Sequence, residues 1–325
     1  MIQNNEKFNA IISFMVNKIN SKLQFLSNLG NKKALSYLDN LPYSQIYTIE
    51  DTKNLDPHLC FKLSTTYPKF QSKLLEFKQL LRKLYEDNEG KTIYKFGDGD
   101  YFFLKGIPTG SAKPGNRALS KPLTINQLSL YSNGAQKSDL FLCEIYPENR
   151  RKFSKVIPMK KINYPAEFAY GLLANKWILR NFSDSIGLIG ADKKIDLIKK
   201  LMEFKEYREY LGIEKFSDYI KVPQKFACDN LDSRLSELEM QLSKAKSKLF
   251  LVGIGHLKSG VLYKLPSYHK AVYLDVGSGI DALAGVIDEG RPFFGDWTNY
   301  RLKSGYDYDK IDMLQYSNSR IKILD

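Results

Sequence analysis

The feature that most constrains the fold is a recurring unit of apolar strand, glycine-bearing turn and helix. Leu249 to Val252 is a buried-strand run that ends in Gly253-Ile254-Gly255-His256, and a helical pattern follows through Leu265. Ala271 to Asp275 is a second strand, and Val276-Gly277-Ser278-Gly279 turns it into a helix beginning near Ile280. Ser185 to Gly190 is a third, followed by Asp192 and a basic amphipathic helix through Met202. Strands alternating with helices predict a parallel sheet covered on both faces. The expected class is α/β, a Rossmann-like parallel sheet flanked by helices. Asp139 to Tyr146 and, more weakly, Asp218 to Val222 add strands, and Tyr164 to Leu179 reads as one helix. A further helix has the core line Leu231, Leu235, Leu238, Leu242 and Ala245, with Asp229 or Asp232 as its expected cap.

Chemistry concentrates where another strand ends. Thr92 to Phe96 is a β-branched and aromatic run, and Gly97-Asp98-Gly99-Asp100 follows it. In open α/β sheets ligands bind outside the carboxyl ends of strands, and flanking glycines let a ligand approach the backbone. Asp98 and Asp100, two residues apart, can hold one hard divalent cation such as Mg²⁺ or Mn²⁺ together with substrate phosphates. Lys95 is placed to touch the same phosphate. The competing reading is a polar β-turn, for which Gly-Asp-Gly-Asp is also good chemistry. The Gly253-Ile254-Gly255 turn is a second phosphate or nucleotide seat, although too short for a full dinucleotide fingerprint. His256 beside it is a ligand, an acid or base, or a polar residue at a helix start. Asp275, Asp281 and His256 are candidates for a general base, because turns at strand ends point into one cleft.

Around this centre the chain is less specific. Residues 1–90 read as an N-terminal helical segment and 91–325 as the α/β domain. The segment has one apolar stripe of Phe8, Ile11, Ile12, Met15, Ile19 and Leu23 and a second of Leu74, Leu75, Phe77, Leu80, Leu81 and Leu84. These faces serve as structural cover, or as a surface for an acceptor or for peripheral membrane contact. Gly106 to Pro122, rich in Gly, Pro, Ser and Lys, is either a mobile lid that brings Lys113 and Arg117 to phosphate or a plain surface loop. A helix is expected from Pro122 to about Ser132. The aromatic cluster from Arg291 to Arg301 lines an acceptor site or covers a sheet edge.

Composition narrows the classes. The net charge of +13 suits nucleic acid, an anionic membrane face or phosphorylated substrates. Its lysines are interleaved with acids, and no zinc finger, RNP-like motif or basic arm accompanies them, so no nucleic-acid partner is expected. Three widely spaced cysteines make neither a disulfide framework nor a zinc site. No apolar run is long enough to span a bilayer, and the first residues lack the order of a signal peptide. A cytoplasmic setting is the expectation.

The stretch Tyr94-Lys95-Phe96-Gly97-Asp98-Gly99-Asp100 resembles the Arg-Phe-Gly-Asp-Gly-Glu signature of the GT-D glycosyltransferases, the DUF1792 family. Val252-Gly253-Ile254-Gly255 and Leu274-Asp275-Val276-Gly277-Ser278 are similar to two later segments of that family, in the same order. Lys95 stands for the usual Arg and Asp100 for the usual Glu. Ser278 stands where family members often carry His, so the work of that His is absent here or falls to His256. The resemblance covers roughly Thr92 to Tyr300. It implies a GT-D-like fold, with Asp98 and Asp100 binding Mn²⁺ or Mg²⁺ and the donor diphosphate. The donor-binding set is Lys95, Gly97, Gly99, Gly253, Gly255, Gly277 and Ser278. The implied reaction moves a sugar from a nucleotide sugar, a UDP-sugar, to a glycan or other hydroxyl acceptor. Two rivals come from other classes. Val272 to Gly279 also looks like motif I of S-adenosylmethionine methyltransferases, but in those enzymes this strand comes first. Here about fifty residues remain after it, too few for the rest of that sheet. The second rival is a basic nucleic-acid-binding protein without catalysis, which steep salt dependence would reveal.

Overall fold

The structure is a computed structural model that describes residues 47–48, 59–60, 70–144, 146–158, 160, 162–287, 294, 297–304, 308 and 321–325. The expected apolar stripe from Phe8 to Leu23 lies outside the described residues. The chain divides into two compact units, Met1–Leu80 and Leu81–Asp325, and the helix Phe70–Glu86 runs across the division. That helix carries the second expected stripe, burying Leu74, Phe77, Leu81 and Leu84 at helical spacing. In the first unit Tyr47–Thr48 pairs antiparallel with Leu59–Cys60.

The second unit is built on a parallel sheet of seven strands. In chain order they are β1 (Lys91–Phe96), β2 (Leu140–Cys143), β3 (Tyr164–Pro165), β4 (Ile186–Ala191), β5 (Asp218–Val222), β6 (Leu249–Gly253) and β7 (Val272–Asp275). The spatial order is β3-β2-β1-β7-β6-β4-β5. This is the α/β architecture the sequence predicts. The central strands are buried on both faces, which explains why they read as unbroken apolar runs. Their registers are fixed by pairs such as Ile93 with Leu140, Ile93 with Leu274, and Val252 with Asp275. From β1 the chain moves outward to β2 and β3. It returns on the far side and reaches β7 last, next to β1. Such a reversal of direction is where open parallel sheets form their ligand crevice. The late entry of β7 also agrees with the positional argument against a methyltransferase.

Several expected elements differ in detail. The helix expected from Tyr164 to Leu179 is a short strand and two helices, Ala166–Ala174 and Trp177–Asn181. Lys176 breaks it with a left-handed φ of 64°, and Asn175 Oδ1 accepts from Trp177 N at 2.9 Å. The helix after Gly255 is likewise interrupted, with single turns of tighter helix at Gly255–Leu257 and Leu262–Lys264. Pro266 lacks the N–H that would bond the carbonyl of Leu262 in an unbroken helix, and it sits in the first turn of the next one, Leu265–Tyr268. The helix Leu231–Leu242 is capped by Asn230, whose side chain accepts from Ser233 N, and not by Asp229 or Asp232. Asp229 Oδ1 instead accepts from Ser120 N at 2.9 Å. That bond helps tie the Gly106–Pro122 loop down. Arg117 O and Ala118 O also accept the backbone N–H groups of Phe226 and Cys228. Of the C-terminal aromatic cluster, the described Phe294, Trp297 and Tyr300 are buried. Trp297 Nε1 donates to Ala282 O at 3.0 Å, so these rings act as cover.

Candidate functional site

A cleft of about 290 Å³ opens at the carboxyl ends of β1, β7, β6 and β4. The candidate metal, donor-binding and general-base residues all line it: Lys95, Gly97, Asp98, Gly99, Asp100, Gly253, Gly255, His256, Asp275, Gly277, Ser278 and Asp281. Residues up to 180 positions apart meet here because β1 and β7 are neighbours. Arg117 reaches the cleft from the loop, whereas Lys113 does not line it.

The acid pair sits in the first turn of the helix Asp98–Leu104 and not in a β-turn. Gly97 precedes it in extended conformation and donates its N–H to Asp100 Oδ2 at 2.8 Å. Side chains two residues apart on a helix do not face one another. The two carboxylates accordingly have different surroundings. Asp98 is exposed, and its Oδ1 accepts from Gly99 N at 2.7 Å. Asp100 is 4% exposed. Its Oδ2 meets Lys258 Nζ at 3.0 Å, its Oδ1 accepts from Tyr94 Oη at 3.2 Å, and His256 Nδ1 stands 3.7 Å away.

Lys258 is the electrostatic hub of this end of the sheet. Its ammonium also contacts Asp275 Oδ2 at 2.7 Å and donates to the main-chain carbonyl of Lys95. Asp275 in turn accepts from the N–H groups of Lys95 and Gly277, at 3.1 and 3.0 Å, locking the end of β1 to the turn after β7. Burial opposes the charge on Asp100, but Lys258, His256 and Lys95 outweigh it and hold the carboxyl well below the usual carboxylate range. Burial and then Asp100 raise the Tyr94 hydroxyl well above its ordinary value, so it remains a neutral donor. Burial likewise opposes the charge of Lys95, yet Tyr170 and Asp275 prevail and raise it. The Lys95 ammonium lies 4.7 Å from the Tyr170 ring centroid and donates to the Tyr170 hydroxyl.

The remaining walls are as definite. The His256 ring stacks on Phe103 at 4.6 Å and 5°, and its Nε2 meets Ser111 Oγ at 2.7 Å. Asp281 is paired with Lys194 at 2.5 Å. Glu144 accepts from Asn149 Nδ2. Gly253 is required by packing, since a Cβ there would lie 2.4 Å from Ile280 Cγ1 and 2.6 Å from Gly277 O. Gly277 is required by conformation, at φ 48°.

Sequence reasoning missed Lys258, Tyr94, Tyr170, Ser111, Glu144 and Lys194. For Lys258 a signal existed: one lysine in the run Leu257-Lys258-Ser259-Gly260-Val261-Leu262 is a charge with no polar face to occupy. Ser111 lies in loop sequence without a distinguishing pattern. Three or more His, Cys, Asp or Glu side chains do not gather into a ready-made metal cluster among the described residues. Of the two motif acids, Asp98 is the exposed carboxylate that a divalent ion shared with substrate phosphates would need.

No family model matches the chain, and no curated protein matches it. It is similar to three solved structures. One is a DUF1792 glycosyltransferase from Streptococcus sanguinis, 12% identical, with 76% of this chain and 96% of that one covered and a TM-score of 0.44. Another is a DUF1792 domain described as having a distinct glycosyltransferase fold, 15% identical, covering 74% and 91%, with a TM-score of 0.43. The third is a selenomethionine-substituted DUF1792 domain, 13% identical, covering 74% and 92%, also with a TM-score of 0.43.

Proposed function

We propose that the chain is a glycosyltransferase that moves a sugar from a nucleotide-sugar donor, a UDP-sugar, to a hydroxyl of a glycan or similar acceptor, with Mn²⁺ or Mg²⁺. One observation carries the reading. The motif acids, both glycine turns and the cations Lys95, Arg117 and Lys194 all line a single cleft at the carboxyl end of a parallel sheet. That combination suits a diphosphate: backbone approach at the glycines, positive charge beside it, and one exposed carboxylate for a cation. The Tyr94–Asp100 resemblance supplies the class of donor.

In this reading the acceptor oxygen forms a bond to the anomeric carbon while that carbon's bond to the diphosphate oxygen breaks. Asp98 would hold the divalent ion, which supplies charge neutralisation to the diphosphate when bound. Lys95, fixed by Tyr170 and by the carbonyl–Lys258 contact, sets positive charge at the end of β1 before substrate arrives. Lys194 is oriented by Asp281. His256 takes the acceptor's proton. Its Nε2 already contacts a hydroxyl, Ser111 Oγ, and its ring plane is fixed by Phe103. Asp275 is committed to Lys258 and two backbone N–H groups, so it holds the turn.

Calorimetry of UDP binding with and without Mn²⁺ tests the proposal. Tighter binding with the metal is expected. Equal affinity in both would remove the metal from the site, and no UDP binding under either condition would end the nucleotide-sugar reading.

A further inference from the structure

The Lys258 ammonium lies in a cage of oxygens. Asp275 Oδ2 is 2.7 Å away, Asp100 Oδ2 3.0 Å, and the main-chain carbonyl of Lys95 completes the set, with the Tyr94 ring centroid at 4.6 Å. These oxygens come from three chain segments: the end of β1, the helix after it, and the end of β7. Two carboxylates and a carbonyl around one centre are the donors a hard metal ion uses. Here a lysine supplies the charge. Asp100 has few lone pairs left to offer. Its Oδ2 takes Lys258 and the Gly97 N–H, and its Oδ1 takes the Tyr94 hydroxyl. A dication approaching Asp100 would also come up against a buried ammonium, 3.0 Å from the same oxygen. Asp98 is exposed at the cleft, with its Oδ1 accepting from Gly99 N.

We infer that Lys258 is the resident cation of the site: it keeps Asp100 and Asp275 out of the ligand set, so Asp98 alone brings a carboxylate to a divalent ion shared with the donor diphosphate. The inference rests on the nucleotide-sugar reading of the cleft and departs from an arrangement in which both acids of the motif are ligands. Asp100 and Lys258 are then positioning residues. Their pair fixes the first turn of the Asp98–Leu104 helix, and so the direction in which Asp98 points.

Mn²⁺ binding in the presence of UDP, followed by the electron paramagnetic resonance of free Mn²⁺, separates the two acids. Asp98→Asn should lose the Mn²⁺ that the parent binds. Asp100→Asn should retain it while melting at a lower temperature. If Asp100→Asn loses Mn²⁺ as completely as Asp98→Asn while still folded, the inference is overturned. A second arm uses Mn²⁺ alone. Lys258→Ala leaves the oxygen cage without its ammonium, so added Mn²⁺ should raise the melting temperature of that variant more than that of the parent. This arm also keeps the two proposals distinguishable. A parent that binds no Mn²⁺ with UDP defeats the metal-dependent transferase reading, and the cage is then judged on Lys258→Ala. Equal Mn²⁺ shifts in that variant and the parent would overturn the role given to Lys258.

Discussion

Replacing Lys258 by Met removes the ammonium and keeps most of the buried stem. Asp100 and Asp275, whose side chains are 6% and 1% exposed, then face each other's charge without the cation that separated them. Breaking a buried pair by deleting one partner costs about 3–5 kcal/mol. For a domain of this size about 1 kcal/mol corresponds to roughly 2–4 °C, so the melting temperature should fall by roughly 6–20 °C. The pH dependence is the sharper test. In the parent, the carboxyl of Asp100 is held well below its unfolded value of about 3.9, so the unfolded state binds the extra proton and stability rises with pH through the acid range. That contribution is present above the unfolded value and is lost as the pH falls toward the folded one. In Lys258→Met, burial acts on Asp100 without its strongest opponent. The folded state then favours the protonated acid, and stability should fall as the pH rises above about 4. Between about pH 4 and pH 7 this group should therefore leave the parent's melting temperature nearly flat, its own slope falling below about pH 4, while that of Lys258→Met declines as the pH rises, with Lys258→Met/Asp100→Asn recovering part of the loss. A Lys258→Met variant that melts like the parent and keeps the parent's slope would refute the electrostatic account of the cleft.

The ends of β1, β6 and β7 were legible because their chemistry is local. An apolar run followed by glycine and a polar turn announces itself within ten residues, and each such turn proved to line the cleft. The lateral order of the strands was not legible, since β1 and β7 pair across most of the domain and no local pattern records it. The same distance hid the ion network. Lys258 meets Asp100 and the Lys95 carbonyl only because two strand ends are brought together, although a lone lysine in an apolar run does hint at a buried acid. The helical setting of the acid pair was hidden for a related reason. Gly-Asp-Gly-Asp has turn chemistry and poor intrinsic helix propensity, but Asp100 anchored by Lys258, Tyr94 and the Gly97 N–H favours the helical first turn over the local preference. The break at Lys176 was invisible because a left-handed lysine has no sequence signature, whereas Pro266 was an available warning for the interrupted helix after Gly255.

Gly253→Ala should lower stability by about 1–3 kcal/mol, because its methyl would meet Ile280 and the Gly277 carbonyl inside 3 Å; a melting temperature equal to the parent's would show that the turn can yield. His256→Gln should lower transfer turnover by about 10²–10⁴-fold while leaving UDP affinity intact, and unchanged turnover would remove it as the proton acceptor. UDP with Mn²⁺ should raise the melting temperature and S-adenosylmethionine should not; the reverse would favour the methyltransferase reading of Val272 to Gly279. The last expectation separates the motif acids by what each loses on conversion to Asn. Asp98 is exposed at the first position of its helix, so Asp98→Asn forfeits only a favourable helix-terminus charge, worth about 0.3–1 kcal/mol, and should fold nearly as well as the parent. Its effect should appear in metal-dependent hydrolysis of donor, because a neutral amide oxygen is a poorer ligand for a hard cation. Asp100→Asn should show the opposite emphasis. The Lys258 ammonium and the Gly97 N–H would then face a side chain with one acceptor oxygen and no charge, so the melting temperature should fall clearly below that of Asp98→Asn. Circular dichroism melts and donor hydrolysis measured on both variants decide the matter, and equal melting temperatures would mean that the carboxylate of Asp100 does not hold the first turn in place.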